Sequence, residues 1–363
     1  MTTDTGLIQA AEKIRPLVAE HAAQADRERQ LAPEVVAALK EAGFARHFVP
    51  SRWGGAEASF GEVTQAIASI GEECANAAWF ASLSAYAGRF GAFLPEQGQA
   101  EIWGGGPDSV IVAALVPAGA AEEVQGGFHV KGRWGYCSGI DFADWALICG
   151  PAGDRAQAKF FAVPRKACTI LPTWDSVGLR ATTSHTIEVD TFVPSHMVFA
   201  FGQMASGRNP YSQAGCHTAP IRAVGNLAFI PPALGAGTGA LNAAVAALRA
   251  KPHHSDVDTL LVRASAQIDA ARLLVERNAV VADAGVFSDE LLARSERDAA
   301  LAGELLNEAV GALIRACGTT GFSESQSLQR FWRDTTCATS HVALRFETAA
   351  VKFYSAFLLG DGR

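Results

Sequence analysis

The chain changes its hydrophobic period twice, and this limits its fold more than any single motif does. From Gly6 to Trp103, apolar residues recur three and four apart in Ala-rich text, the spacing of helices that bury one face. Pro33 sits where a first helical turn tolerates proline, Val35, Val36 and Leu39 form one stripe, and Gly43 follows as a left-handed stop. Further helices are predicted over Phe60–Ile70, Ala75–Phe93 and Pro95–Trp103, with FVPSRWGGAE as a turn-rich connector. After Gly104 to Pro107 (GGGP) the text becomes SVIVAALVP, GFHVKGRWGYCSG, DWALICG, AKFFAVP and HTIEVDTFVP, short β-rich runs broken by Gly and Pro. No long helix fits between these runs, so a compact antiparallel barrel or sandwich is expected rather than a parallel sheet. Beyond GQMASGRNPYSQAG, four long helical patterns follow at His217–Ala250, Asp256–Gly285, Asp289–Cys317 and Ser325–Leu359. The expectation is an α+β chain with an N-terminal helical domain (1–107), a middle β domain (108–200) and a C-terminal four-helix bundle (201–363).

Composition narrows the function classes. With 363 residues and 49% hydrophobic content the chain can bury a large core, and its net charge of -7 without long runs of one sign argues against binding a phosphate backbone. No stretch reaches the ~18 apolar residues of a membrane span, and the start MTTDTGLIQAAEK lacks a basic region followed by an apolar one. Neither a nucleic-acid nor a membrane partner is expected, and the cytoplasm is the expected location. Seven cysteines (Cys74, Cys137, Cys149, Cys168, Cys216, Cys317, Cys337) include no C-x-x-C pair, so buried free thiols are the simplest reading. His253 and His254 are adjacent, but no neighbouring pattern completes a metal site, and none is expected.

Few motifs stand out. Gly235-Ala236-Gly237-Thr238-Gly239 has dinucleotide-like spacing but lies in helical text with no strand before it, which favours close helix packing. No Walker motif or G-x-S-x-G elbow is present. In Trp134-Gly135-Tyr136-Cys137-Ser138-Gly139, strand alternation puts Trp134, Tyr136 and Ser138 on one face, which could be a ring-binding wall or an ordinary strand end with a serine turn. Thr182, Thr183 and Ser184 form a hydroxyl cluster that could hold a phosphate or a ring carbonyl, or be common strand-edge residues. On one continuous helix, Asp334 and His341 would share a face two turns apart. Trp79, Tyr86 and Phe90 could line an apolar wall or belong to the core, and His217 could bind substrate or cap a helix.

The order of these segments resembles the acyl-CoA dehydrogenase fold nearly end to end. VGLRATTSHTIEVDTFVPSHMVF looks like the segment that closes that family's β domain, LGAGTGAL like its next bundle helix, and QRFWRDTTCATSH like its Arg-Asp signature. Within the superfamily, CANAAWFASLSAYAGRFGAFLPEQGQAEIW and GRWGYCSGIDFADWALICG are similar to the two-component flavin-dependent oxygenases. These include p-hydroxyphenylacetate hydroxylase, dibenzothiophene monooxygenase and, most of all, aromatic polyketide hydroxylases of the actinorhodin-pathway type. That resemblance implies an oxygenase of antibiotic secondary metabolism that hydroxylates an aromatic substrate, a phenol or quinone, through a C4a-hydroperoxyflavin. Reduced FMN or FAD would come from a separate NAD(P)H:flavin reductase, O2 would be the co-substrate, and the assembly would be a homotetramer. It assigns Ser138 and His341 as catalytic residues. Trp134, Tyr136, Cys137, Ser138, Gly139, Thr182, Thr183 and Ser184 would bind the flavin, Trp79, Tyr86 and His217 the substrate, and Arg180 would form an ion pair. The text at His341 carries no carboxylate before Glu347, which disfavours acyl-CoA oxidation through a last-helix glutamate. The same scaffold is also compatible with N-oxygenation of an amine or amino sugar, and with a binding protein that has lost its flavin.

Overall fold

The computed structural model describes residues 6–152, 157–249 and 255–359. Its first part holds α1 (Leu7–Glu28), α2 (Pro33–Ala42), α3 (Phe60–Gly71), α4 (Ala75–Gly91) and α5 (Glu96–Trp103). Helix α2 begins on Pro33 and ends against Gly43, whose φ of 100° lets its N–H reach back to the carbonyls of Leu39 and Lys40. Ser59 caps α3 by accepting from the Glu62 N–H, as a hydroxyl at that position should. Helix α4 is buried all round except near Leu83, so it forms the spine against which the sheet and the bundle meet.

The middle part is one sheet of eight strands among the described residues. They are β1 (Ile111–Ala114), β2 (Ala120–Val124), β3 (Gly127–Cys137), β4 (Trp145–Ala152), β5 (Gln157–Pro164), β6 (Cys168–Leu171), β7 (His185–Pro194) and β8 (Val198–Ala200). The order is β6-β7-β3-β2-β4-β5-β8, with β1 also on β4. Most pairs are antiparallel as expected, but β1 and β2 run parallel to β4, so the sheet is mixed. The long β3–β7 ladder matters most, because the C-terminal end of β3 and the start of β7 meet at one edge.

Short helices α6 (Phe201–Ser206), α7 (Gly215–Thr218) and α8 (Ile221–Val224) then lead to α9 (Ile230–Arg249), α10 (Ser255–Ala284), α11 (Asp289–Ala316), α12 (Gly318–Gly321), α13 (Ser327–Thr339) and α14 (Lys352–Leu359). The helix expected over His217–Ala250 is therefore broken. Pro220 forces the residue before it, Ala219, to an extended backbone, and α9 starts only at Ile230, with Pro231 and Pro232 in a first turn that needs no N–H. A side chain on Gly235 would run into the Ala68 carbonyl and Gly71, and one on Gly239 into the Glu72 carbonyl, so the glycine run is where α9 closes on α3.

The last expected helix is broken as well. Thr336, Thr339 and Ser340 each return their hydroxyl to the carbonyl four residues back, on Trp332, Thr335 and Thr336, an interaction that weakens helix ends. Helix α13 stops at Thr339, His341 takes an extended backbone, and a 3-10 turn (Val342–Leu344) and a π turn (Phe346–Val351) precede α14. Asp334 and His341 are therefore not on one continuous helix, and the shared face expected of them does not exist. His253 and His254 lie outside the described residues.

Candidate active site between sheet and bundle

Strand β3 does not keep its alternation to the end. A bulge between Trp134 and Cys137 shifts its register on β7, and Tyr136 takes a left-handed φ of 59°. The expectation that Trp134, Tyr136 and Ser138 share one face fails for this reason. Trp134 turns into the core and donates its Nε1–H to the Cys149 carbonyl at 2.6 Å, while the Tyr136 side chain is 79% exposed. Cys137 is buried, its thiol pushed up to about 12 by burial, too high for a thiolate at neutral pH. Ser138 points inward, and Gly139 follows at φ 80°, where an added methyl would press on Phe80 at 2.8 Å. The Gly139 N–H donates to the Thr182 carbonyl at 2.8 Å, joining this turn to the next one.

That second turn, 179–184, carries two more left-handed residues, Leu179 and Thr183. Such backbone persists only where its surroundings hold it. Asp334 accepts from the Leu179 N–H at 2.6 Å and from Asn76 Nδ2 at 3.2 Å, and Asn76 Oδ1 accepts from the Ala181 N–H at 2.8 Å. Burial pushes the Asp334 carboxyl up to about 6, with the Leu179 N–H pulling it back down. Held in this way, Thr182 and Ser184 lie 2.7 Å apart, Ser184 lies 2.7 Å from Ser138, and Trp79 donates its indole N–H to Ser138 Oγ at 3.2 Å. Thr183 Oγ1 is buried with no protein partner. Arg180 stands 3.9 Å from Asp26, whose carboxylate also takes the bidentate pair from Arg333.

His341 meets the same indole. Its ring stacks on Phe229 at 3.8 Å and meets Trp79 edge-on at 6.1 Å. Nδ1 accepts from the Ala343 N–H, which leaves the hydrogen of the neutral ring on Nε2. Burial, then Arg345, pushes the imidazole down to about 4, so it is neutral at physiological pH and is a hydrogen-bond donor at Nε2. Ser138 and His341, distant in sequence, thus share one neighbour, the Trp79 indole.

The remaining expected substrate contacts fall elsewhere. Tyr86 packs against Phe48 and Phe60, and Phe90 is also buried. His217 is fully buried with Nε2 2.6 Å from the Phe48 carbonyl and Nδ1 2.7 Å from Ser212 Oγ. With both nitrogens engaged it braces the 212–217 segment, and the substrate contact expected of it has no free atom to make it. The sequence pattern does not point to Asn76, Phe229 or Trp174 in advance. Of these only Asn76 left a signal, as the one amide in CANAAWF.

A cavity of about 310 Å³ opens beside the hydroxyl cluster, lined by Gly135, Tyr136, Thr173, Trp174, Ser184 and Thr186. Tyr136 and Trp174 flank it edge to face at 6.3 Å. Its two aromatic rings and the Ser184 hydroxyl, 2.7 Å from the Ser138 hydroxyl, suit a planar heterocycle with donors and acceptors along one edge, as an isoalloxazine has. Glu347, the first carboxylate after His341, is exposed on the π turn. Among the described residues, no group of three or more His, Cys, Asp or Glu could hold a metal, and no helix is long and apolar enough to cross a membrane.

Residues 9–97 match the acyl-CoA dehydrogenase N-terminal domain and residues 227–346 the C-terminal domain. The oxygenase subunit HsaA of a flavin-dependent monooxygenase from Mycobacterium tuberculosis (strain CDC 1551 / Oshkosh) is 30% identical over 96% of this chain and 94% of that protein. The chain belongs to the flavin-dependent monooxygenase oxygenase components of the acyl-CoA dehydrogenase fold. The oxygenase component of an FADH2-dependent resorcinol hydroxylase from Rhizobium sp. (strain MTP-10005) is 28% identical over 97% of this chain and 94% of that one. The crystal structure of 3-HSA hydroxylase from Rhodococcus sp. RHA1 superposes with a TM-score of 0.93 at 29% identity, covering 98% of this chain and 97% of that chain. For an oxygenase component of this family, reduced flavin is the cofactor.

Proposed function

We propose that this chain takes reduced FMN or FAD from a separate NAD(P)H:flavin reductase and uses it with O2 to hydroxylate a phenolic ring, at the site where Ser138 and His341 meet on Trp79. That shared neighbour is the observation the reading rests on: a polarised hydroxyl and a neutral imidazole, from separate parts of the chain, each contact the Trp79 indole, and Phe229 stacks on the imidazole. Bound reduced flavin would supply the two electrons that let one oxygen atom enter the ring and the other leave as water. Ser138 holds the flavin edge, while Trp174 and Tyr136 flank its plane. His341 offers a hydrogen at Nε2 to the oxygen being transferred or to the phenol oxygen, and Trp79 and Phe229 keep water from the reacting atoms. Because Nε2 already carries the hydrogen, His341 acts here as a donor rather than as the base that ionises the phenol.

The test supplies enzymatically reduced FMN or FAD, 18O2 and a panel of mono- and dihydroxybenzenes. The proposal expects one 18O atom in the product of at least one phenol. Peroxide as the sole oxygen product across the panel would contradict it. The proposal includes a homotetramer, supported by Val262, Leu273 and Val280, which fall on one stripe of α10 at 72%, 67% and 66% exposure. Light scattering at four chain masses supports this assembly, and a single chain mass opposes it.

A further inference from the structure

The hydroxyls behind Ser138 can be followed hydrogen by hydrogen. Each Ser or Thr hydroxyl has one hydrogen to give and two lone pairs. Thr182 Oγ1 lies 3.0 Å from the Leu179 carbonyl, which can only accept, so the Thr182 hydrogen points there. Ser184, 2.7 Å from Thr182, must then be the donor of that pair. Its hydrogen is now committed, so across the 2.7 Å contact with Ser138 it is Ser138 that donates. Trp79 Nε1–H takes one Ser138 lone pair at 3.2 Å. One lone pair is all that Ser138 has left to offer.

The carbonyl that sets this direction is itself fixed. Leu179 O also accepts Trp174 Nε1–H at 2.8 Å, and the Leu179 N–H is held by the buried Asp334. Turning the chain round would free a Ser138 hydrogen but give up the bond from Thr182 to Leu179. The polarity therefore rests on the net worth of a single hydrogen bond.

We infer that Thr182 and Ser184 are positioning residues that fix Ser138 as an acceptor, so that the site selects reduced over oxidised flavin. The inference rests on the reading that flavin N5 faces Ser138. Reduced flavin carries a hydrogen on N5 and can donate to the remaining lone pair. Oxidised flavin presents a lone pair at N5, and two acceptors repel. The redox preference of the pocket is thus set by a chain of hydroxyls that begins at Thr182, away from the ring.

The test is binding, without turnover. Dissociation constants for oxidised FMN and for anaerobically reduced FMN are measured from quenching of tryptophan fluorescence in the wild-type chain and in Thr182→Val, Thr182→Ser and Ser184→Ala. The wild-type protein should bind the reduced form more tightly. Thr182→Val and Ser184→Ala should each shrink that preference about fivefold to tenfold, the worth of one hydrogen bond, while Thr182→Ser keeps it. A merely structural role would weaken both redox forms together and leave their ratio unchanged, and that result would overturn the inference. Equal loss in Thr182→Ser and Thr182→Val would also overturn it, because the methyl rather than the hydroxyl would then be responsible. If Thr182→Val fails to fold, Ser184→Ala alone decides. Failure of the wild-type protein to bind either flavin form would instead overturn the proposed function, and this inference with it.

Discussion

Helix α4 runs past two buried polar clusters that are built on opposite lines. At its N-terminal end, Trp79 joins the Ser138, Ser184 and Thr182 hydroxyls, and each hydrogen in that chain has an acceptor. Near its C-terminal end, Arg89 is fully buried between the Phe60 and Phe93 rings, each 5.9 Å from the guanidinium carbon. There Arg89 donates to the carbonyls of Cys216 and Ala219, yet Nη1 and the nearby Tyr86 hydroxyl have no protein partner. Burial pushes the Arg89 guanidinium down to about 10, and burial raises the Tyr86 phenol. A saturated cluster fixes hydrogen positions, which chemistry needs; an unsaturated one ties segments together at the cost of a desolvated charge. The first should therefore govern coupling of flavin oxidation to product, and the second should govern stability.

Substitutions can separate the two. Arg89→Ala leaves two buried carbonyls unpaired and opens a cavity, so urea denaturation should show a loss of about 4 kcal/mol. Product formed per flavin in the folded fraction should stay within about twofold of wild type, since the change is distant from Ser138. A large loss of coupling with stability intact would break the comparison.

Acid should act through buried histidines. His47 and His341 are each pushed down to about 4 by burial, whereas an unfolded imidazole titrates near ~6.5. Between those values the unfolded chain binds more protons, so stability rises with pH and is lost as the pH falls from ~6.5 towards 4. Asp334, pushed up to about 6, works in the opposite direction and offsets part of this. The net loss between pH 7 and pH 5 should be about 2 kcal/mol, and His341→Gln should recover most of it. A flat stability profile over that range would contradict the burial account.

A smaller effect is expected at Gly139. Its φ of 80° and the approach of Phe80 make Gly139→Ala cost about 2 kcal/mol, with coupling lowered because the Ser138 turn must shift. The smallest stability change is expected for Ser138→Ala, at about 1 kcal/mol, because Ser184 keeps its bond to Thr182 and only the Trp79 indole N–H loses its acceptor.

What could be read in advance follows the range of the forces involved. Pro33 and Gly43 bound α2 because capping is local, and the succession of helical, strand and helical text marks out the architecture for the same reason. The site is where local patterns give way. Alternation puts Tyr136 beside Ser138, but the bulge turns Tyr136 out to solvent, and nothing in the six residues around it announces that. Helical spacing puts His341 on the face of Asp334, but hydroxyls at Thr336, Thr339 and Ser340 end the helix first. Asn76 and Asp334, 258 residues apart, hold the 179–183 turn together, and no window of sequence contains both. The family resemblance supplied Ser138 and His341; only the packing around Trp79 shows that they share a neighbour.

The central claim is that Ser138 and His341 serve one reacting centre. Product formed per reduced flavin consumed, measured for wild type, Ser138→Ala, His341→Ala and the double variant, tests it most directly. Each single change should lower the yield about tenfold or more and raise peroxide to match, and the double should be little worse than the poorer single, because the two act as a unit. Wild-type yield in both single variants would contradict the claim.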